Sequence, residues 1–451
     1  MKRIFFKICV AAFLLLASLI VSFLVWRVNL AHGVNAKLAA IRAAGLPTNG
    51  AEENNYYTAV PDGENSALKM ADAFALLTNY NDQRSNEVAS IKFPQRKEDL
   101  TPQQMELLAG YCAMNSNALA QAGEAVKLTR CRYPVDLSQG AHASLKHLAT
   151  LKKLGQLAEF NTIVGAKNPN ADISTIIGMA RSLDNEPILI SKLMRIVFLN
   201  MAVTALERRL NTEGLDESDM ALLNTMLAEA AKTNQMASAF IGDRAAFLSV
   251  FQMSPDQIAH LADSEDEQSS KQTKESFTGF QYYFGRFAGV FDLDEKFYLQ
   301  VMATNIFLAS MSPKSISQIN DLAETTSQKL QNSRFHFTLS KMLLPPFRSA
   351  IAEEATSLAA VHAARTALAV ERFRLAHGKL PEELDELFPQ FFPAVPVDPF
   401  DGQPLRYRHL EKGYVIYSIG SDGEDNGGQE RPATVKSTDK THYDITFTVE
   451  R

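Results

Sequence analysis

His377-Gly378-Lys379-Leu380-Pro381 closes a long helix-forming segment, and Tyr414-Val415-Ile416-Tyr417-Ser418-Ile419 is the clearest strand in the chain. Nine of the twenty residues from Ala350 to Ala369 are alanine, which gives high helix propensity and a thin surface that another element can approach closely. Gly378 is the expected C-terminal cap. Pro381 then opens a short helix carrying Leu384 and Leu387, and Pro389, Pro393, Pro396 and Pro399 force an extended crossing. Strands are expected at Leu405–Arg408, Tyr414–Ile419 and Asp444–Val449, the first two joined by Glu411-Lys412-Gly413 as a hairpin turn. One long helix against a small antiparallel sheet makes residues 346–451 an α+β layer pair.

Upstream the helical period dominates, so the fold class is mainly α with a C-terminal α+β domain. Ile190, Leu193, Met194, Val197 and Met201 form an i, i+3, i+4, i+7, i+11 stripe, with Asn185 as its cap, Pro187 in the first turn, and Arg208 and Arg209 in the last. Further helices are expected near 67–80, 102–128, 141–166, 217–233, 237–252, 287–311 and 314–332, which makes 66–345 a helical ectodomain. The polar run from Ser264 to Lys271 reads as a surface loop or a break between lobes, near 264–276. Helix pairs resemble a solenoid, but no fixed-period repeat is present.

At the other end, Ile8 to Trp26 is nineteen residues interrupted only by Ser18 and Ser22, a helix of about 28 Å that nearly spans a bilayer core. Lys2, Arg3 and Lys7 precede it and Arg27 follows, so the positive-inside bias leaves the N-terminus in the cytoplasm. Residues 1–28 are therefore an anchor, and a cleaved signal is disfavoured because Phe23-Leu24-Val25-Trp26 stands where a small-x-small site belongs. Residues 29–65, punctuated by Pro47, Gly50, Pro61 and Gly63, read as a stalk.

The 451 residues carry 45 Lys+Arg against 51 Asp+Glu, which excludes a strongly basic nucleic-acid binder. Cys112 and Cys131 lie in the exported part, where a disulfide is chemically permitted; two buried thiols are the alternative. The sequence holds no His-Glu-x-x-His, Gly-x-Ser-x-Gly, Walker or Gly-x-Gly-x-x-Gly motif. His142 and His147 are five apart and fall on different helix faces. The aromatic run Phe280, Tyr282, Tyr283, Phe284 and Phe287 reads as core packing before a ligand pocket.

The ordered set His377 to Pro381, Asp398-Pro399-Phe400, Pro404, Tyr407, Tyr414 to Gly423 and Asp444-Ile445 resembles the soluble part of the major, G-type pseudopilin of type II secretion. The resemblance covers about 100 residues. It implies an extracytoplasmic fold, a calcium ion in the loop between the last strands, and Asp422, Asp425 and Asp444 as its acidic ligands. The chain departs from the family in lacking the Gly-Phe-Ser/Thr-x-x-x-Glu processing motif, in the 300 helical residues before the pilin-like helix, and in a longer Gly428–Asp444 stretch. Independently, Gly378 to Arg451 holds eight Lys+Arg against fourteen Asp+Glu, a balance as negative as that of the whole chain. Asp422 to Gly427 imitates the first half of an EF-hand loop, but Ala433 stands at position twelve. The expected function is a non-enzymatic, single-pass envelope protein that binds or scaffolds, with secretion-system or other envelope proteins as partners. The alternative is an envelope hydrolase or ligand-binding receptor with a pocket between helices.

Overall fold

The computed structural model describes residues 2–79, 82–164, 169–231, 235–262, 279–311, 316–332, 337–431 and 443–450. It is mainly helical, with a small three-stranded antiparallel sheet near the C-terminus and a long apolar helix at the N-terminus. The expected loop or break at 264–276 lies outside the described residues.

Helices α1 (Lys2–Ala43), α2 (Gly50–Tyr56), α3 (Ser66–Leu76), α4 (Asp82–Ser90), α5 (Pro102–Met114) and α6 (Ser116–Ala125) lead into α7 (Lys146–Asn161) and α8 (Pro169–Ser182). Then come α9 (Leu189–Thr212), α10 (Glu217–Ala230), α11 (Gln235–Leu248) and α12 (Pro255–Ala262). The last helices are α13 (Gly279–Ala288), α14 (Val290–Ser310), α15 (Ile316–Asn332), α16 (Thr338–Leu343) and α17 (Phe347–His377). Between residues 31 and 345, the only β-type pairing among the described residues is the isolated Asn65–Arg130 bridge.

Three local departures from the periodicity have physical causes. Asn115 splits the expected 102–128 helix into α5 and α6, because its side-chain amide pairs with both backbone groups of Thr78 at 2.8 and 3.0 Å. Gly289, at φ 76°, splits the expected 287–311 helix into α13 and α14. Asn185 is not the cap of α9; the helix starts at Leu189, whose N–H donates to Asp243 Oδ1 on α11 at 3.1 Å.

Residues 29–65 are not an extended stalk. The helix that begins at Lys2 continues unbroken to Ala43, with Leu30 and Val34 buried and Leu38 and Ile41 packed against a core. Val34, Leu38 and Ile41 are spaced i, i+4, i+7, so one face of the helix has somewhere to go. α2 follows, capped by Asn49, whose side chain accepts from Glu52 N–H at 2.9 Å.

Strands β1 (Arg406–Leu410), β2 (Gly413–Ser418) and β3 (Ile445–Glu450) pair antiparallel in that order, with Leu410 opposite Gly413 across the hairpin. Gly378 caps α17 in the left-handed region, as its sequence position predicts. α17 packs against β2 and β3 on one side and against α9 and α10 on another. Its alanines allow this double approach: Ala363, Ala364, Ala367 and Ala369 are all buried. The edge of β3 is closed by α9, not by a fourth strand. Glu207 Oε1 accepts from Thr448 N–H at 2.7 Å, and the Asn211 amide bonds Thr448 O and Glu450 N–H at 2.8 and 2.7 Å. Two side chains one helical turn apart thus stand in for strand backbone and blunt an aggregation-prone edge.

One core joins buried residues of α3 and α5–α10 to the second half of α17 and to Tyr414, Ile416, Phe447 and Val449 of the sheet. A second gathers Val34, α11, α12, α14, α16 and the start of α17. Both α9 and α17 contribute to both cores.

Candidate functional site

The acidic loop is the site that the sequence singles out. Asp444 precedes β3 and is buried; its Oδ2 accepts from Gly428 N–H at 2.7 Å and its Oδ1 from Asn426 N–H at 3.3 Å. Burial raises the Asp444 carboxyl, against those donors, and Asp425 adds to the rise. Asp425 Oδ1 accepts from Gly427 N–H at 2.9 Å, and its other oxygen lies 3.7 Å from Arg406 Nε. Asp422 is exposed and accepts from Glu424 N–H at 3.1 Å. Asp425 and Asp444 are therefore neighbours, while Asp422 turns its carboxylate to its own turn. Among the described residues no group of three or more His, Cys, Asp or Glu is placed to hold a metal ion, this loop included. Hard oxygen donors are the right chemistry for calcium, but the arrangement supplies two adjoining carboxylates, not three.

Asp398, which enters the sequence reading only within the Asp398-Pro399-Phe400 motif, organises this end. Asp398 is fully buried: Oδ1 accepts from Phe400 N–H at 3.0 Å and from the Ser418 hydroxyl at 2.9 Å, and Oδ2 accepts from Ile419 N–H at 3.0 Å and Arg406 Nη1 at 2.9 Å. Four donors on one carboxylate tie Asp398-Pro399-Phe400, Arg406 and Ser418-Ile419 into one unit. Burial works against the Arg406 charge, but Asp401, Asp398 and Asp425 outweigh it and hold the guanidinium above the usual arginine range.

A second polar cluster lies inside the helical part. Glu186 is fully buried; it accepts from the Ser191 hydroxyl at 2.5 Å and from the Tyr57 hydroxyl at 3.4 Å. Tyr133 N–H donates to the Tyr57 oxygen at 3.0 Å, and the Tyr133 ring stacks on His147 at 4.4 Å. His147 Nε2 lies 3.2 Å from Glu186 Oε2 without an aligned hydrogen bond. Nearby, Glu53 is buried with no hydrogen-bond partner for either oxygen, and burial, with the charge of Asp243, pushes its carboxyl up to about 9. Burial likewise lifts Asp243 to about 7, opposed by Leu189 N–H. Lys192, also buried, is lowered by desolvation to about 7 and donates to Leu183 O at 2.9 Å.

Glutamate beside histidine is the raw material of acid–base catalysis, but geometry decides. Tyr57, Tyr133, Glu186 and Ser191 are all closed to solvent, so a substrate has no way in and the cluster acts as a polar tie between α2, α9 and residues 131–133. Only their scatter over 140 residues hid it from the sequence. The histidines do not share a helix: His147 is on α7 in the cluster, while His142 ends a short 3-10 turn before that helix begins. Cys112 and Cys131 are both buried free thiols, and Cys112 donates weakly to Leu157 O at 3.9 Å.

Compared with protein-family models, curated proteins and solved structures, the chain matches none.

Proposed function

We propose that this protein is a single-pass component of the cell envelope that binds or scaffolds other molecules and is not an enzyme. In this reading the N-terminus is cytoplasmic and the body extracytoplasmic, in the periplasm of a Gram-negative cell. The observation that carries it is α1. Its apolar run from Ile8 to Trp26 touches almost nothing, and the same helix then enters the folded body at Leu30 and Val34. An exposed apolar surface of that size in a folded chain calls for lipid. Continuity of the helix would make the anchor a rigid post.

The C-terminal end, in the same proposal, is a pseudopilin-like fold stabilised by calcium through Asp422, Asp425 and Asp444, with envelope or secretion-system proteins as partners. The burial of α17 between the sheet and the helical body supports a borrowed fold over a filament subunit, because α17 itself is packed on both sides. Alkaline phosphatase fused after Arg451 tests the topology: activity is expected, and an inactive fusion in a stably expressed protein contradicts it.

A second reading, a ligand-binding receptor, has one observation behind it. A groove of about 950 Å³ between α6, α8 and α10 is lined by Leu222 and Met226 together with Asp172, Arg181 and Asp219. Native mass spectrometry on protein taken from its own membrane would reveal a retained small molecule.

A further inference from the structure

The aromatic run that the sequence reading assigned to a core is divided by α13 into two faces. The side chain of Phe280 lies outside the described residues. Tyr282 turns inward, 7% exposed, with its hydroxyl donating to Met253 O at 2.5 Å and its ring 5.1 Å edge-on to Phe291. Tyr283, Phe284 and Phe287 turn outward, at 69%, 58% and 67% exposure. Three large rings on one solvent-facing side of a ten-residue helix are costly in water.

Their position says what covers them. The Phe287 ring is 5.2 Å from Phe23 of α1, inside the apolar run and three residues before Trp26. Just beyond that level the charges begin, with Arg27 paired to Asp292 at the start of α14. Gly289, between α13 and α14, adopts φ 76° and lies so close to Arg27 that a Cβ there would overlap its guanidinium. The left-handed residue lets α13 turn aside at the level where the anchor leaves its apolar stretch. At about 1.5 Å per residue, Phe23 lies roughly 6 Å deeper than Arg27 along the helix axis, the depth at which interfacial helices bury their apolar face.

We propose that α13 is a second membrane contact, an interfacial helix that sets Tyr283, Phe284 and Phe287 into the headgroup and upper acyl region of the leaflet where α1 emerges. Aromatic side chains are favoured at this depth. Arg286, stacked 4.5 Å over Phe291 and bonded to the Tyr282 hydroxyl, braces the helix from its protein side. Two attachments, one spanning and one lying flat, would fix the tilt and rotation of the body against the membrane, which a single post leaves free. The inference rests on the span proposed above, and the experiment separates the two.

Trp26 is the only tryptophan in the chain, so fluorescence can be moved one site at a time. The full-length protein is reconstituted into phosphatidylcholine–phosphatidylglycerol vesicles with acyl chains brominated near the headgroup. Trp26 in the native chain reports the span. Phe287→Trp in a Trp26→Phe background reports α13, with Tyr283→Trp as a second probe should the first lower the melting temperature. Leu222→Trp on α10 serves as the exposed control.

 Leu222 is about half exposed and belongs to the groove between α6, α8 and α10, so this control reads emission from a water-facing site of the same folded chain. The expected result is a blue-shifted Phe287→Trp emission, lost to bromine on the scale of the loss at Trp26, while the Leu222→Trp emission is retained. If Trp26 is quenched and both α13 probes are not, α13 is off the membrane and the inference is overturned while the span stands. Probes shielded from aqueous iodide but untouched by bromine would place protein, such as a second copy of this chain, over the face, and would also overturn it. If Trp26 itself is unquenched, the span falls; quenching of the α13 probes alone would still uphold the surface contact.

Discussion

Among the described residues two helices, α1 and α9, are long and apolar enough to cross a membrane, yet one is bare and the other is mostly buried. The difference lies in what their polar residues do. The buried polar residues of α9 have partners: Arg195 pairs with Asp184 at 2.6 Å, Lys192 donates to Leu183 O, Ser191 donates to Glu186, and Asn211, with Glu207, closes the edge of β3. The apolar run of α1 has only Ser18 and Ser22, and no residue from Ile8 to Trp26 is buried. Hydropathy alone cannot separate a core beam from an anchor; the placement of polar side chains that demand partners can.

The largest expected effect comes from deleting apolar bulk in each helix. Phe198 is fully buried on α9, and its ring lies against Gly155 of α7. Phe198→Ala should cost about 3–5 kcal/mol, read by thermal or denaturant unfolding in detergent. Leu15→Ala, in the exposed run of α1, should change the same transition by roughly 0.5 kcal/mol or less. Equal losses would break the comparison.

An effect that grows with pH tests the buried carboxyl of Glu53 on α2, beside the Asp243 that caps α9. A carboxyl raised in the folded state keeps its proton where the unfolded chain has released it, so its contribution to stability is complete below the unfolded pKa and is lost as pH rises. For Glu53 that window runs from 4.5 to about 9. Glu53→Gln should therefore gain on the wild type as pH rises through this window, by up to about 1.4 kcal/mol per pH unit. Melting curves of the two proteins across the range check it; parallel curves would mean that Glu53 is not desolvated as described.

How far the sequence revealed this architecture depended on the range of the interaction. The α17 stop at Gly378 and the hairpin at Leu410–Gly413 are local and legible to within about two residues, whereas the short helix expected from Pro381 is a 3-10 turn that begins only at Leu384. The N-terminus of α9 was misread because its true partner, Asp243, is 54 positions away. Residues 29–65 read as a stalk because Pro47, Gly50, Pro61 and Gly63 punctuate them, and only the structure shows that Val34, Leu38 and Ile41 pack against a core. The acidic loop is visible as charge, and Asp398 stands out in sequence only within the Asp398-Pro399-Phe400 motif, because its four donors come from residues up to 21 positions away. Exposure of Tyr283, Phe284 and Phe287 could not be inferred at all, since aromatic residues at helical spacing fit a core equally well.

The smallest expected shift belongs to calcium. At an affinity of about 0.1–1 mM, roughly 5 mM calcium would stabilise the folded chain by about 1–2 kcal/mol. Asp422→Ala should remove that increment with little change in the calcium-free melting temperature, since Asp422 is exposed. An unchanged melting temperature of the wild type in calcium would reduce the loop to an acidic turn closed by Arg406.

The central claim is that α1 stays in the chain as a membrane span joined rigidly to the folded body. Carbonate extraction of membranes, followed by mass determination, tests it most directly, because alkaline carbonate strips proteins held only at the surface. The account predicts an intact chain of 49.8 kDa in the membrane pellet. Release into the supernatant, or a species shortened by the first 30 or so residues, would contradict it.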